Sequence, residues 1–274
     1  MMNSTHGTLK FRSSDAVLFA AIDAPPLNML GPELVSDLVE LIQLLDKGEP
    51  YKVVVFSSAN PNFFISHVDT TKIKEYRQAA AALTGEASIA LLFRRLSRTK
   101  AVSIAQIEGR VRGAGSEFVM ACDLRFGARE TAILGQNEGG MGVLAGGGAA
   151  QYLSHLMGRG RALEIMLTAD DYSADLAERY GWINRAVPQA EIDGFVSTMA
   201  HRIARFPARG LWEIKARMND LTLNPEDNFR RDSDAFAQGL KDPEAQAVIQ
   251  QAVEKGFGTS EEAELNLGRM LGEL

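Results

Sequence analysis

Apolar residues recur along this chain with two different periods, and the switches between them mark its elements. Residues 8–11 and 16–22 are short runs rich in β-prone side chains. The polar stretch Arg12-Ser13-Ser14-Asp15 between them has the composition of a turn, so the chain is expected to open with a strand pair. After Gly31-Pro32 the apolar positions are Leu34, Val35, Leu38, Leu41, Ile42 and Leu45, spaced as one face of a helix. Proline at the start and Gly48 just past the end are the expected stop signals. Residues 52–57 hold three consecutive valines and a phenylalanine, the pattern of a strand buried on both faces, and 101–107 repeat it after a helical stretch around 87–96. Strand, helix, strand is the order of a parallel sheet.

The order continues with a helix over 115–121, extended structure at 123–127 and again at 131–134, so strand pairs separated by helices suggest ββα turns of a spiral. Beyond Gly146 helical spacing dominates, except for a short strand expected over 182–187, entered after Gly181 ends a helix over 173–180. The last third reads as helices broken near Phe206-Pro207, Asn224-Pro225 and Asp242-Pro243. The expected organisation is an α/β core over 1–200 and a C-terminal helical region over 201–274 that packs on the core or on a neighbouring subunit.

Composition narrows the partners. The 274 residues carry a net charge of −6, with 46% hydrophobic and 23% charged side chains, ordinary for a globular chain. Nothing here attracts nucleic acid or an anionic membrane surface. One cysteine, Cys122, permits neither an intrachain disulfide nor a cysteine-based zinc cluster and suits a reducing compartment, so a cytoplasmic location is expected. The first residues lack a basic stretch followed by an apolar run, and nowhere do about 18 apolar residues follow one another. Neither a signal peptide nor a membrane span is expected.

Two glycine-rich segments carry the candidate chemistry. In the first, Gly113-Ala114-Gly115-Ser116-Glu117 joins a buried strand to a helix. The first turn of a helix has N–H groups without intrahelical partners and favours negative charge, so Ala114 is placed to stabilise an oxyanion. Glu117 falls in that same turn, where a carboxylate is also favoured without any catalytic role. The second segment, Gly135-Gln136-Asn137-Glu138-Gly139-Gly140, ends a strand on a glutamate flanked by glycines, a plausible acid or base. Gly140-Met-Gly142-Val-Leu-Ala145 formally matches a dinucleotide fingerprint, but the first βαβ unit and the acidic residue at a strand end are missing. No phosphate-binding G-x-x-x-x-G-K-[ST] loop is present.

Taken together, Pro26-Leu27-Asn28-Met29-Leu30, Val53-Val54-Val55, Phe63-Phe64-Ile65-Ser66-His67-Val68-Asp69, Gly113-Ala114-Gly115-Ser116-Glu117, Cys122-Asp123, Gly135-Gln136-Asn137-Glu138 and Gly146-Gly147-Gly148 fall in the order and spacing of the enoyl-CoA hydratase/isomerase (crotonase) superfamily. The chain resembles that superfamily over most of residues 8–190. The resemblance implies a crotonase-like spiral of ββα units. It implies an oxyanion hole made by the backbone N–H groups of Val68 and Ala114, and Glu117 and Glu138 as the catalytic carboxylates of a hydratase. By the same resemblance Asn28, Ser66, His67, Asp69, Gly113 and Lys255 are candidate substrate contacts. Coenzyme A belongs to the substrate, no separate cofactor or metal is implied, and a homotrimer or a dimer of trimers is expected, with the helical region 201–274 serving trimerisation and covering the active site. Other reactions of the superfamily on an acyl-CoA (isomerisation, decarboxylation, hydrolysis), or a CoA-independent, non-catalytic member, remain the alternatives.

The departures matter as much. Where the family commonly has glycine before the first oxyanion donor, this chain has His67, a substrate contact, an acid–base group or a side chain that packs on its loop. Arg110 and Arg112 stand where apolar residues are usual; a negatively charged acyl substituent would suit them, though solvation or pairing is the simpler reading. His6, His155 and His201 lack metal-ligand spacing, and Cys122 reads as a buried structural thiol. Residues 70–90, expected to supply pocket walls, carry no pattern that places them.

Overall fold

Residues 5–274 are described by the computed structural model; the first four positions of the expected core, which also open the stretch read for a leader, lie outside the described residues. Strands β1 (Leu9–Ser14) and β2 (Val17–Ile22) pair antiparallel across a turn at Asp15-Ala16. The turn is tighter than the sequence suggests, because Arg12, Ser13 and Ser14 continue the strand opposite Phe19, Leu18 and Val17. An edge strand with one solvated face carries polar residues and so resembles a turn in sequence. Helix α1 (Pro32–Lys47) buries its apolar stripe and ends at Gly48, whose φ of 77° only glycine adopts without strain.

From β2 onward the chain winds as a spiral. Each turn lays one strand in a large sheet and the next in a small one, then returns through helix or loop. The first turn gives β3 (Val53–Ser58), β4 (Phe63–Ile65), α2 (Ile73–Thr84) and α3 (Ile89–Ser97). The second gives β5 (Val102–Ile107), β6 (Arg110–Arg112) and α4 (Ala114–Ala121), and the third β7 (Leu124–Ala128), β8 (Ile133–Gly135) and α5 (Ala149–Thr168). The fourth adds β9 (Asp171–Ser173), α6 (Ala174–Tyr180) and β10 (Arg185–Val187). The large sheet has the order β1-β2-β3-β5-β7-β10, parallel after the opening hairpin, and the small one β4-β6-β8-β9. The crotonase-like α/β spiral is the observed fold. The strand expected over 182–187 is confined to its last three residues, because Trp182 and Ile183 turn back to donate to the Ala177 carbonyl in the α6 cap.

Helix α7 (Ile192–Ala204) covers the outer face of the large sheet through Ile192, Val196 and Ala200. The three proline breaks separate α7, α8 (Ala208–Thr222), α9 (Glu226–Gly239) and α10 (Pro243–Glu254), followed by α11 (Glu261–Leu265) and α12 (Leu267–Gly272). The main core lies between the sheets and α1 to α6 and includes Phe56, Phe64, Phe93, Phe118 and Trp182. A smaller cluster joins the C-terminal helices to the loop after β8 through Met141, Val143, Phe236, Phe257 and Leu271. That junction positions the site.

Candidate active site

Three loops and a cover meet at one narrow cavity of about 40 Å³. The loop after β4 contributes His67 and Val68, the start of α4 contributes Ala114 and Glu117, and the turn after β8 contributes Asn137 and Glu138. Tyr76 of α2 completes the inner wall, and Phe236, Leu240, Ile249 and Phe257 of the C-terminal region close it. The lining is overwhelmingly apolar, so a charge or hydrogen bond inside it acts in a medium that screens weakly.

Each functional group is fixed by its own local structure. Leu30 N–H donates to the His67 carbonyl at 2.8 Å, and Asp69 N–H donates to the Leu30 carbonyl at 3.1 Å. These two bonds skip Val68, whose amide has no acceptor among the described residues. Ala114 is the first residue of α4, where an amide has no intrahelical partner. Val68 and Ala114 both line the cavity, and neither N–H has an acceptor among the described residues.

Glu117 is almost completely buried, and its Oε1 accepts from Gly147 N–H at 2.7 Å and Ala149 N–H at 2.9 Å. A Cβ on Gly147 would lie 2.3 Å from Glu117 Oε2, so the loop before α5 approaches this carboxyl as only glycine allows. Glu138 Oε2 accepts from the Gln136 side chain at 2.7 Å. Burial pushes both carboxyls above the ordinary glutamate range; the charge of Glu138 raises Glu117 further, while the two amides at Oε1 oppose the rise. Glu138 is offset by its own backbone N–H, by Gln136 and by the charge of His67. Glu117 is buried and Glu138 half-buried at the same cavity, and two carboxyls this close resist carrying charge together.

The remaining candidates have other surroundings. Asn28 is buried and spends its side chain on scaffolding: Oδ1 accepts from Ala24 N–H at 2.8 Å, and Nδ2 donates to Ser58 Oγ at 2.8 Å and the Phe63 carbonyl at 3.1 Å. It braces the start of β4 rather than lining the cavity. Ser66 is fully buried with an unpartnered hydroxyl, and Asp69 turns away to Thr71 Oγ1 at 2.6 Å. Gly113 backs the site: with φ of 50° its Cβ position lies 2.9 Å from Glu138 Oε1. Lys255 Nζ reaches the Glu273 carbonyl at 3.4 Å, outside the lining. Arg112 is buried and forks onto both oxygens of Asp171 at 2.7 Å, and Arg110 donates to the Leu265 carbonyl at 3.3 Å, so both arginines are spent on protein partners. Cys122 is buried and its thiol is pushed up to about 12 by burial. The dinucleotide-like stretch forms a 3₁₀ turn at Gly139–Met141 and no strand-to-helix phosphate loop. Among the described residues no group of three or more His, Cys, Asp or Glu side chains is arranged to hold a metal ion.

Tyr76, whose buried hydroxyl is unpartnered and raised in pKa mainly by burial, lies in the stretch 70–90 that carries no placing pattern in the sequence. A C-terminal cover over 201–274 is an expectation of the sequence, but the pattern does not single out Phe236, Leu240, Ile249 and Phe257 as the residues that line the cavity.

Comparison with known proteins gives the same frame. The family profile described as enoyl-CoA hydratase/isomerase matches residues 12–259. The chain belongs to the enoyl-CoA hydratase/isomerase family. It is 30% identical over 177 residues to the short-chain-enoyl-CoA hydratase of Clostridium acetobutylicum, covering 65% of this chain and 67% of that one. It is 28% identical over 180 residues to the crotonyl-CoA hydratase of Syntrophomonas wolfei, covering 65% and 67%. Among solved structures, a protein from Streptomyces avermitilis provisionally assigned as an enoyl-CoA hydratase superposes with a TM-score of 0.97 at 47% identity, covering 100% of this chain and 99% of that one. The protein is thus a hydratase-like enzyme of this family by sequence and by fold.

Proposed function

We propose that the protein adds water across the double bond of a trans-2-enoyl-CoA, giving the 3-hydroxyacyl-CoA. The observation that carries this reading is the convergence of one buried and one half-buried carboxyl and two uncommitted amides on one apolar cavity. The amides of Val68 and Ala114 hold the thioester oxygen, and their bonds strengthen as enolate charge develops. Removing one such donor typically costs about 10²–10³ in kcat.

Glu117 accepts a proton from water as the water oxygen bonds to C3. The step uses the form of the pair with the proton on Glu138, and the two amides at Glu117 Oε1 favour that form against the rise that burial and Glu138 impose on Glu117. The electron pair of the double bond moves to C2 and the carbonyl, and Glu138 delivers a proton to C2. One proton enters the pair at Glu117 and one leaves at Glu138, so the pair ends with the single proton it began with. Burial and mutual repulsion thereby supply an acid and a base together.

The cavity admits water but not an extended acyl arm unless Phe236, Leu240, Ile249 and Phe257 move. The C-terminal region 201–274 therefore acts as cover, and short enoyl groups are the better substrates. The same region presents Ile214, Met218 and Leu221 on α8, exposed by 67%, 53% and 61%, beside an apolar groove of about 630 Å³. A face of this kind favours a homo-oligomer, a trimer or a pair of trimers. Among the described residues no helix is long and apolar enough to cross a membrane, and the single buried cysteine suits a cytoplasmic setting.

Mass analysis of the product from crotonyl-CoA tests the reaction. Gain of one water supports hydration; an unchanged mass with a shifted double bond would make the protein an isomerase.

A further inference from the structure

His67, the departure from the family's usual glycine, is buried at the edge of the cavity, and both of its ring nitrogens face acceptors. Nδ1 lies 2.6 Å from the Val68 carbonyl and Nε2 lies 2.9 Å from Glu264 Oε1. A carbonyl and a carboxylate can only accept, so both ring nitrogens are placed where a donor is called for. Glu264 is fully buried in α11, and the same Oε1 accepts from Gly258 N–H at 2.7 Å. Its carbonyl accepts from Arg112 Nη1 at 2.6 Å, and the charge of Arg112 is balanced by Asp171 of β9. The His67 ring stacks on Phe257 with centroids 4.3 Å apart, and the remaining carboxyl near it is Glu138.

We propose that His67 and Glu264 form a buried imidazolium–carboxylate pair that positions the Val68 amide and ties assembly of the oxyanion site to docking of residues 257–264. The proposal rests on the reading of Val68 as an oxyanion donor. The Val68 N–H belongs to the 67–68 peptide, whose carbonyl end is His67 O, held by Leu30 N–H at 2.8 Å; the His67 ring grips the next carbonyl, that of Val68, so Val68 is fixed on both sides and the direction of its N–H depends on where the ring is anchored. Its other end holds the segment that carries Phe257 across the cavity. The site is complete only when that segment is seated, so the chain senses closure at the point where charge develops. His67 is a positioning residue here: its nitrogens are spent on protein acceptors, and it takes no part in proton transfer. A buried pair of this kind is strongly disrupted when one partner loses its charge.

The test uses the full chain as wild type, Glu264→Gln, His67→Gln and, as an exposed control outside the pair, Arg269→Gln. Three quantities are read: ¹⁵N shifts of the His67 ring, amide hydrogen exchange over 257–264, and kcat and KM with crotonyl-CoA. The wild-type ring should be doubly protonated at neutral pH. Exchange over 257–264 should speed at least tenfold in Glu264→Gln and in His67→Gln but not in Arg269→Gln. In Glu264→Gln, which keeps the side-chain shape and an oxygen acceptor, kcat should fall tenfold or more with KM changed by less than about threefold, the signature of an interaction realised in the transition state. A neutral wild-type ring, or unchanged exchange in Glu264→Gln, overturns the pair; an unchanged kcat overturns its positioning role. If wild type turns over no enoyl-CoA, the hydratase reading fails by itself, and the ring state and exchange still decide whether the pair exists.

Discussion

Glu117 shows what the site costs the fold. Its carboxyl is raised by burial and by Glu138, so the stability linked to it is fully present below the ordinary glutamate value of 4.5 and is lost as pH rises through the raised folded value. At neutral pH the buried group is therefore a burden. Glu117→Gln, whose oxygen can still accept from Gly147 and Ala149, should abolish turnover by 10² or more while leaving Tm unchanged or raising it by about 2–4 °C at pH 7. The gain should vanish toward pH 4; calorimetry across that range checks the sign. Gly147→Ala should damage the same carboxyl from outside, since its Cβ would meet Oε2 at 2.3 Å, and a kcat loss with little change in KM is expected. That Glu117, Glu138 and Ala114 meet at one cavity follows from marks the sequence carries, glycine-flanked segments and a helix start, whereas Val68 is singled out only by the family resemblance. Glu264 was not: in Glu261-Glu262-Ala263-Glu264 it looks like any solvated acidic turn, and its burial against His67 is a contact across 197 residues. Nor did spacing separate Asn28, an internal brace, from a substrate contact.

At the level of elements, strong periodicity predicted well and short strands did not. The α1 stripe was complete in the sequence, and all six of its residues are buried. Leu38→Ala should cost about 2–5 kcal/mol, read from the midpoint of a urea transition. By contrast β4, β6 and β9 have three residues each, too few for alternation to show, and Arg110 and Arg112 disguise β6 as a polar loop. Helix α2 was lost because only Tyr76 and Ala80 of its residues are buried. On the cover, Phe236 of α9 packs against Gly146 and the cavity. Phe236→Ala should widen the acyl space, so the kcat/KM ratio of a C8 to a C4 enoyl-CoA should rise, at a stability cost of about 3–5 kcal/mol.

For the whole molecule, the roles proposed for the C-terminal region in closure, assembly and acid stability are each open to test. Glu264 is raised by burial but lowered more by His67 and Gly258, and its folded value lies below the ordinary 4.5. Its contribution is present above that value and is lost as pH falls through the folded one. Glu264→Gln should therefore be less stable than wild type at pH 7, with the difference shrinking below about pH 4.5. Assembly is read separately by light scattering. A mass several times 29.8 kDa is expected, falling in Met218→Glu, whereas a monomeric wild type would contradict the role given to α8.

The most direct test of the central reading is the loss of conjugated-enoyl absorbance when crotonyl-CoA meets wild type, Glu117→Gln and Glu138→Gln across a pH series. The account predicts rapid loss in the wild type with a bell-shaped pH profile, as expected for a pair that must hold one proton, and at least a 10²-fold drop in each variant. Full activity in either variant, or no loss of absorbance in a wild type that still binds acyl-CoA, would contradict it.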